Sequence, residues 1–146
     1  MKSLEMDELW SFVGKRANKV WVWTAMCRET RQIVGMATGD RSAETCRKLW
    51  ESIPESYRHG HCYTDFWEAY SQVIPPEQHT ACGKESGLTN HMERWNNTLR
   101  QRLARFVRKT LSFSKSDKMH TACLMLFIHR YNRERADLWN RVHPLA

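Results

Sequence analysis

Three carboxylates, Asp7, Asp65 and Glu93, stand on separate segments of this 146-residue chain in settings that ordinary surface acids do not share. Asp7 lies among Met6, Leu9 and Trp10 in a segment that reads as a strand, where a buried acid is costly unless it is paired or metal-bound. Asp65 falls where a short strand gives way to a helix, a place that suits a helix N-cap as well as a ligand. Glu93 is a lone acid in a cationic helix, and it repels the anions drawn there unless it holds a cation. It also fits a capping box with Asn90, and taken alone it reads as a cap before it reads as a catalyst. Hard divalent cations prefer carboxylate oxygens. Phosphoryl transfer on nucleic acid can be run by two Mg²⁺ or Mn²⁺ ions about 4 Å apart that clamp the attacking and leaving oxygens. Three acids brought together would meet that need. Glu5 and Glu8 read as ordinary polar neighbours.

Charge is concentrated in one place. From Arg94 to Lys118 there are eight Lys/Arg and one acid, a balance of +7 that equals the net charge of the whole chain. Arg94, Arg100, Arg102, Arg105, Arg108, Lys109 and Lys115 carry most of it, with Asn97 among them. A focused basic face attracts a polyanion and releases its counterions on binding; a solvated helix face is the plainer account of the same residues.

The elements that must position these groups follow from pattern. Leu4–Val13, Val20–Met26 and Gln32–Ala37 read as three strands with short links, the first being the turn at Gly14–Asn18, which implies an antiparallel meander. Ser42 can cap a helix with Cys46, Leu49, Trp50 and Ile53 on one face, closed by Pro54. His61–Thr64 is a fourth strand, Phe66–Val73 a short helix and Gln78–Cys82 a fifth strand. Leu88–Lys118 begins as a long amphipathic helix whose stripe is Leu88, Met92, Trp95, Leu99, Leu103 and Phe106, and ends in a polar break. Met119–Tyr131 is a last, apolar helix, and the tail beyond Asn132 has no clear pattern. The order predicts a mixed sheet with helices on its faces, in which a crossover lays the fourth strand parallel to the first. That placement brings Asp7 near Asp65, and the loop after the fifth strand can carry Glu93 to the same edge.

The length suits one domain, residues 1–146. Five scattered cysteines without a C-x-x-C suggest reduced thiols in a cytosolic protein. His59/His61 and His79/Cys82 lack the paired spacing of a zinc site. The longest apolar run is too short to span a bilayer, and no signal peptide is visible.

The segments EMDELWSFVG, YTDFWEAY and TNHMERWNNTLRQRLARFVRKTLSFSKS resemble the three blocks of insertion-sequence-one family transposases. The likeness runs from about Leu4 to about Tyr131 and is most specific in the third block. It implies a ribonuclease-H-like α/β fold, a five-stranded sheet made of an antiparallel meander plus parallel strands and flanked by helices. It implies DDE chemistry with Asp7, Asp65 and Glu93 as the triad, and Asn97 and Arg100 at the polar positions that follow the family's glutamate. Two divalent ions, transposon-end and target DNA as partners, an oligomeric active complex and a place on the bacterial nucleoid come with it. The family's zinc-finger and helix-turn-helix region has no counterpart in these blocks, so the chain reads as a catalytic part without an end-recognition domain. A non-catalytic DNA-binding fragment would share the basic helix without needing the acids. A ribonuclease-H-like nuclease or resolvase would share the acids without joining strands.

Overall fold

The computed structural model describes residues 2–12, 19–109 and 117–144, with the side chains of residues 12, 104–109 and 117–119 left aside. Five strands form one sheet: β1 (Leu4–Phe12), β2 (Lys19–Cys27), β3 (Ile33–Gly39), β4 (Cys62–Thr64) and β5 (His79–Ala81), in the order β3-β2-β1-β4-β5. The first three make the expected antiparallel meander, and β4 lies parallel to β1 and to β5. The α-helices among the described residues are α1 (Ala43–Ser52), α2 (Glu55–Arg58), α3 (Glu68–Val73), α4 (Asn90–Lys109) and α5 (Asp117–Val142).

Alternation along the strands divides the core between the two faces of the sheet. Leu4, Met6, Trp23 and Ala25 pack with Leu49, Ile53, Ala69 and Tyr70 of α1 and α3. Leu9, Val22 and Ile33 pack on the other face with Met92, Trp95, Leu99 and Leu103 of α4 and Leu124 of α5. The stripe read from α4 is therefore its buried face over those four residues. Ser42 caps α1 through the Thr45 N–H.

Several expectations are corrected. A short helix, α2, follows Pro54 where no element was expected. The last helix starts at Asp117 and continues past Tyr131 to Val142. Asn132 anchors it, accepting from the Ile33 N–H at 2.7 Å and donating to the Ile33 carbonyl at 2.9 Å. That anchoring comes from tertiary structure, so the tail's own pattern could not reveal it. The turn at Gly14–Asn18 and the residue Lys115 lie outside the described residues.

Two glycines set the strands and helix that matter for the site. A β-carbon on Gly60 would stand 1.9 Å from the Lys2 carbonyl oxygen, so only glycine lets the chain enter β4 this close to β1. Gly87, at φ 74°, turns the chain into α4 through the left-handed region.

All five cysteines are buried free thiols. Of the three histidines in the pairs His59/His61 and His79/Cys82, His61 bonds to Thr80 at 2.6 Å and His79 to Thr64 at 2.7 Å, while His59 lies 3.9 Å from Glu55. Among the described residues no helix is long and apolar enough to cross a membrane.

Candidate active site

The site lies where β1 outruns β4. The parallel pairing covers Leu4–Cys62 and Glu5–Tyr63 only. Continued by two residues, that register sets Asp7 level with Asp65, the first residue past β4. One carboxylate oxygen from each of Asp7, Glu8 and Asp65 lies within 4.8 Å of the other two. Asp7 and Asp65 thus meet as the topology implied. Glu8 joins them from the opposite face of β1, because beyond the end of β4 no strand separates the two faces.

Each acid is held by named partners. Asp7 Oδ1 accepts the Glu8 N–H at 2.9 Å, and Oδ2 accepts the Asn96 side-chain amide at 2.7 Å. Asp65 Oδ1 accepts the Trp67 N–H at 2.9 Å, a local turn at the entrance to α3. Glu8 accepts the Tyr70 hydroxyl at 2.7 Å and pairs with Arg41 at 3.1 Å. The Arg41 guanidinium is itself stacked against Trp67 and Trp21, at 4.1 and 4.9 Å from their ring centres.

Burial and mutual repulsion disfavour the ionised forms of Asp7 and Glu8. Burial lifts the Asp7 carboxyl from its ordinary 3.8 to about 6, opposed by the Glu8 N–H and the Asn96 amide and reinforced by Asp65. Burial likewise lifts Glu8 from 4.5 to about 7, against the Tyr70 hydroxyl and with help from Asp7 and Asp65. The site is short of positive charge, and a divalent cation would relieve it.

Glu93 stands on α4 one turn before Asn96, outside the 4.8 Å group. Its Oε1 is buried and has no hydrogen-bond partner. The capping box expected with Asn90 is absent: the Glu93 N–H bonds to the Thr89 carbonyl, so the helix is already under way at Asn90. The free N–H groups of the first turn are served instead by Glu5. Its Oε1 accepts from Met92 N–H at 3.3 Å, with the His91 N–H also contributing, and its Oε2 is 3.4 Å from Arg28 Nε. A distant strand acid caps α4, and Glu93 is left for something else.

Glu5 and Glu8 were read as ordinary polar residues and are not; both are buried. Their neighbours offered a signal, since the three acids and two apolar residues of EMDEL leave no solvent face for a nine-residue central strand. Asn96 was also missed. It is buried against Asp7, whereas Asn97 and Arg100, the flank expected to follow Glu93, are exposed. Arg94 is exposed as well, while Arg102 is turned to Glu134 of α5 at 3.5 Å. Arg105, Arg108 and Lys109 lie in α4, and their side chains are outside the described set.

The donor set fits hard divalent cations. It consists of carboxylates, it is under-neutralised, and each engaged oxygen keeps a second lone pair for a metal. Asp65 Oδ2 is the least committed oxygen of the group.

A family model described as IS1 transposase matches residues 1–133. The insertion element iso-IS1n protein InsB of Shigella dysenteriae is 36% identical over 127 residues, covering 87% of this chain and 94% of its own length. The insertion element IS1 protein InsB of Shigella flexneri is 35% identical over 116 residues, or 80% of this chain and 86% of its own. An Escherichia coli protein, insertion element IS1 4 protein InsB, is 34% identical over the same span, 67% of its length. A mixed five-stranded sheet flanked by helices is the ribonuclease-H-like arrangement, and a match this extensive leaves one assignment: the chain belongs to the IS1 transposase family.

Proposed function

We propose that this chain is a DDE-type catalytic domain that cleaves DNA at the ends of a bacterial insertion sequence and joins the freed 3′-hydroxyl to target DNA. The observation that carries the reading is the meeting of Asp7 and Asp65 at the open edge of β1, in a carboxylate group within 4.8 Å. Asp7 and Asp65 hold the metal, and Glu93, with its buried and unpartnered Oε1, completes the ligand set. Bound Mg²⁺ or Mn²⁺ supplies the Lewis acidity that activates a nucleophilic oxygen and stabilises the leaving one. Asn96 fixes the rotamer of Asp7 by donating to Oδ2. Tyr70 and the stacked Arg41 hold Glu8 behind the site and restrain its charge. Arg94, Asn97 and Arg100, with Arg105, Arg108, Lys109 and Lys115 further along, steady the DNA backbone, contacts that fix position without reading sequence. Arg102 contributes less to DNA because Glu134 already engages it. The active complex contains more than one copy of the chain.

A second reading is favoured by one observation. Glu8, not Glu93, lies within 4.8 Å of both aspartates. In that reading Glu8 is the third ligand. Against it, both Glu8 oxygens are engaged, by Tyr70 and Arg41.

Strand transfer from pre-cut, labelled ends in Mn²⁺ tests the proposal. Asp7→Asn, Asp65→Asn and Glu93→Gln should each abolish joining while leaving metal-free DNA binding intact or stronger, since a negative charge leaves a phosphate-facing surface. Parental activity in Glu93→Gln with loss in Glu8→Gln would move the third ligand to Glu8. Parental activity in Asp7→Asn would end the proposal.

A further inference from the structure

On the α4 side of the sheet, three arginines from three elements converge on one pocket of about 200 Å³. Arg31 comes from the β2–β3 turn, Arg94 from α4 and Arg135 from α5, and His91, Thr98 and Tyr131 complete its polar lining. The volume equals roughly seven water molecules at ~30 Å³ each, ample for a tetrahedral oxyanion.

The charges there are unbalanced. Among the described residues none of the three guanidiniums pairs with a carboxylate. Glu5 feels Arg31, but its oxygens already serve Arg28 and the start of α4. The Nε of Arg135 is buried with no hydrogen-bond partner, an arrangement that costs free energy until something accepts from it. Arg31 touches the His91 ring and stands at φ 65°, a backbone region that non-glycine residues seldom occupy. The charges of Arg31, Arg28, Arg94 and Arg135 all bear on the His91 imidazole. The same three arginines, with Arg102, bear on the Tyr131 hydroxyl, which burial pushes up.

We infer that this pocket binds a phosphate group, gripped by Arg31, Arg94 and Arg135 together. Guanidinium forks match oxyanions in geometry. A carboxylate has two oxygens and is filled by one fork, whereas three forks call for an anion with more oxygens. Thr98 and Tyr131 can donate to the remaining lone pairs. The phosphate is either an internal diester of a DNA strand or a terminal 5′-phosphate. Assigning it to DNA rests on the reading above; the affinity for phosphate does not. Arg31, His91 and Arg135 lie outside the basic segment, so the site extends the anion-binding surface beyond α4.

The His91 ring resonances of the full-length, metal-free chain provide the readout. Inorganic phosphate is titrated against chloride at constant ionic strength. The expected result is a saturable shift with phosphate only, weakened about tenfold or more in Arg135→Gln and in Arg94→Gln. Arg94 is exposed, so its replacement leaves the fold intact and decides the matter should Arg135→Gln fold poorly. A shift that never saturates, or an equal response to chloride, or unchanged affinity in Arg94→Gln, would overturn the inference. Competition by hairpin duplexes then separates the sources. Displacement of phosphate by duplexes with and without a 5′-phosphate assigns the site to internal diesters. Displacement by the phosphorylated duplex alone assigns it to a strand end. Displacement by neither overturns the assignment to DNA. No cleavage enters this experiment, so failure of the catalytic proposal is read separately.

Discussion

Two regions of the molecule have opposite problems. At the edge of β1, Asp7, Glu8 and Asp65 crowd negative charge together. Between α4 and α5, Arg31, Arg94 and Arg135 crowd positive charge. The acids have an outlet, because a carboxyl pushed up to about 6 or 7 can take a proton near neutrality. Arginine has none, since its guanidinium does not deprotonate in proteins. The acid edge is also tied internally by Asn96, Tyr70 and Arg41, whereas the arginine pocket has no carboxylate ties among the described residues. One region is thus set to respond to protons or cations, the other only to anions. A phosphodiester substrate arriving with divalent cations would answer both.

The largest expected break in this contrast is chemical. Asp7→Asn or Asp65→Asn should lower metal-dependent strand joining by roughly 10³-fold or more, the equivalent of about 4 kcal/mol of transition-state stabilisation. Gel-resolved rates on pre-cut ends measure it, and a loss below tenfold would remove the residue from the ligand set.

Proton linkage comes next. Unfolded Asp and Glu titrate near about 4, and the folded values of Asp7 and Glu8 are about 6 and about 7. Between those limits the native state binds more protons than the unfolded chain. The stability from this source is therefore full below about pH 4 and is lost as pH rises through 6 to 7, by roughly 3 kcal/mol for Asp7 alone at about 1.4 kcal/mol per unit. Metal-free Tm should fall across that window, Mg²⁺ or Mn²⁺ should restore it at pH 8 but not at pH 4, and Asp7→Asn should flatten the fall. A metal-free Tm that rises from pH 4 to 7 would show that burial does not govern these acids.

Tyr70→Phe should cost about 2 kcal/mol in denaturant unfolding at pH 8, where Glu8 loses a hydrogen bond to its charged form. An equal cost at pH 5 would mean that the hydroxyl supports packing and not the carboxylate.

The smallest effect lies on α4. Arg100→Gln should reduce the log–log salt dependence of duplex binding by about 0.9 for one lost phosphate contact. Arg102→Gln should leave that slope nearly unchanged, because its partner is Glu134. Equal slopes for the two would erase the distinction drawn between them.

Much of the fold was legible in the sequence because the signals are local. Strand alternation and short links define the β1–β2–β3 meander, and the 3.6-residue stripe identifies the buried face of α4 through Met92, Trp95, Leu99 and Leu103. The three candidate acids stood out because each interrupts such a pattern. The extension of α5 to Val142 was not legible, since Asn132 is anchored by the backbone of Ile33, 99 residues away in sequence.

What the sequence determined by itself is which elements exist and which face of each is apolar; backbone sterics and hydrophobic periodicity act within a few residues and leave their mark there. Tertiary structure alone decided which polar groups meet. A helix turns about 100° per residue, so Asn96 and Asn97 look interchangeable in a list, yet the docking of α4 buries the first on Asp7 and exposes the second. The parallel register of β1 and β4 sets Asp7 level with Asp65, and the early end of β4 admits Glu8. The N-terminus of α4 takes its cap from Glu5, 87 residues upstream of Met92. Arg31, Arg94 and Arg135 share a pocket only because a turn and two helices close around it. Such encounters depend on packing between distant segments, and no local pattern records them.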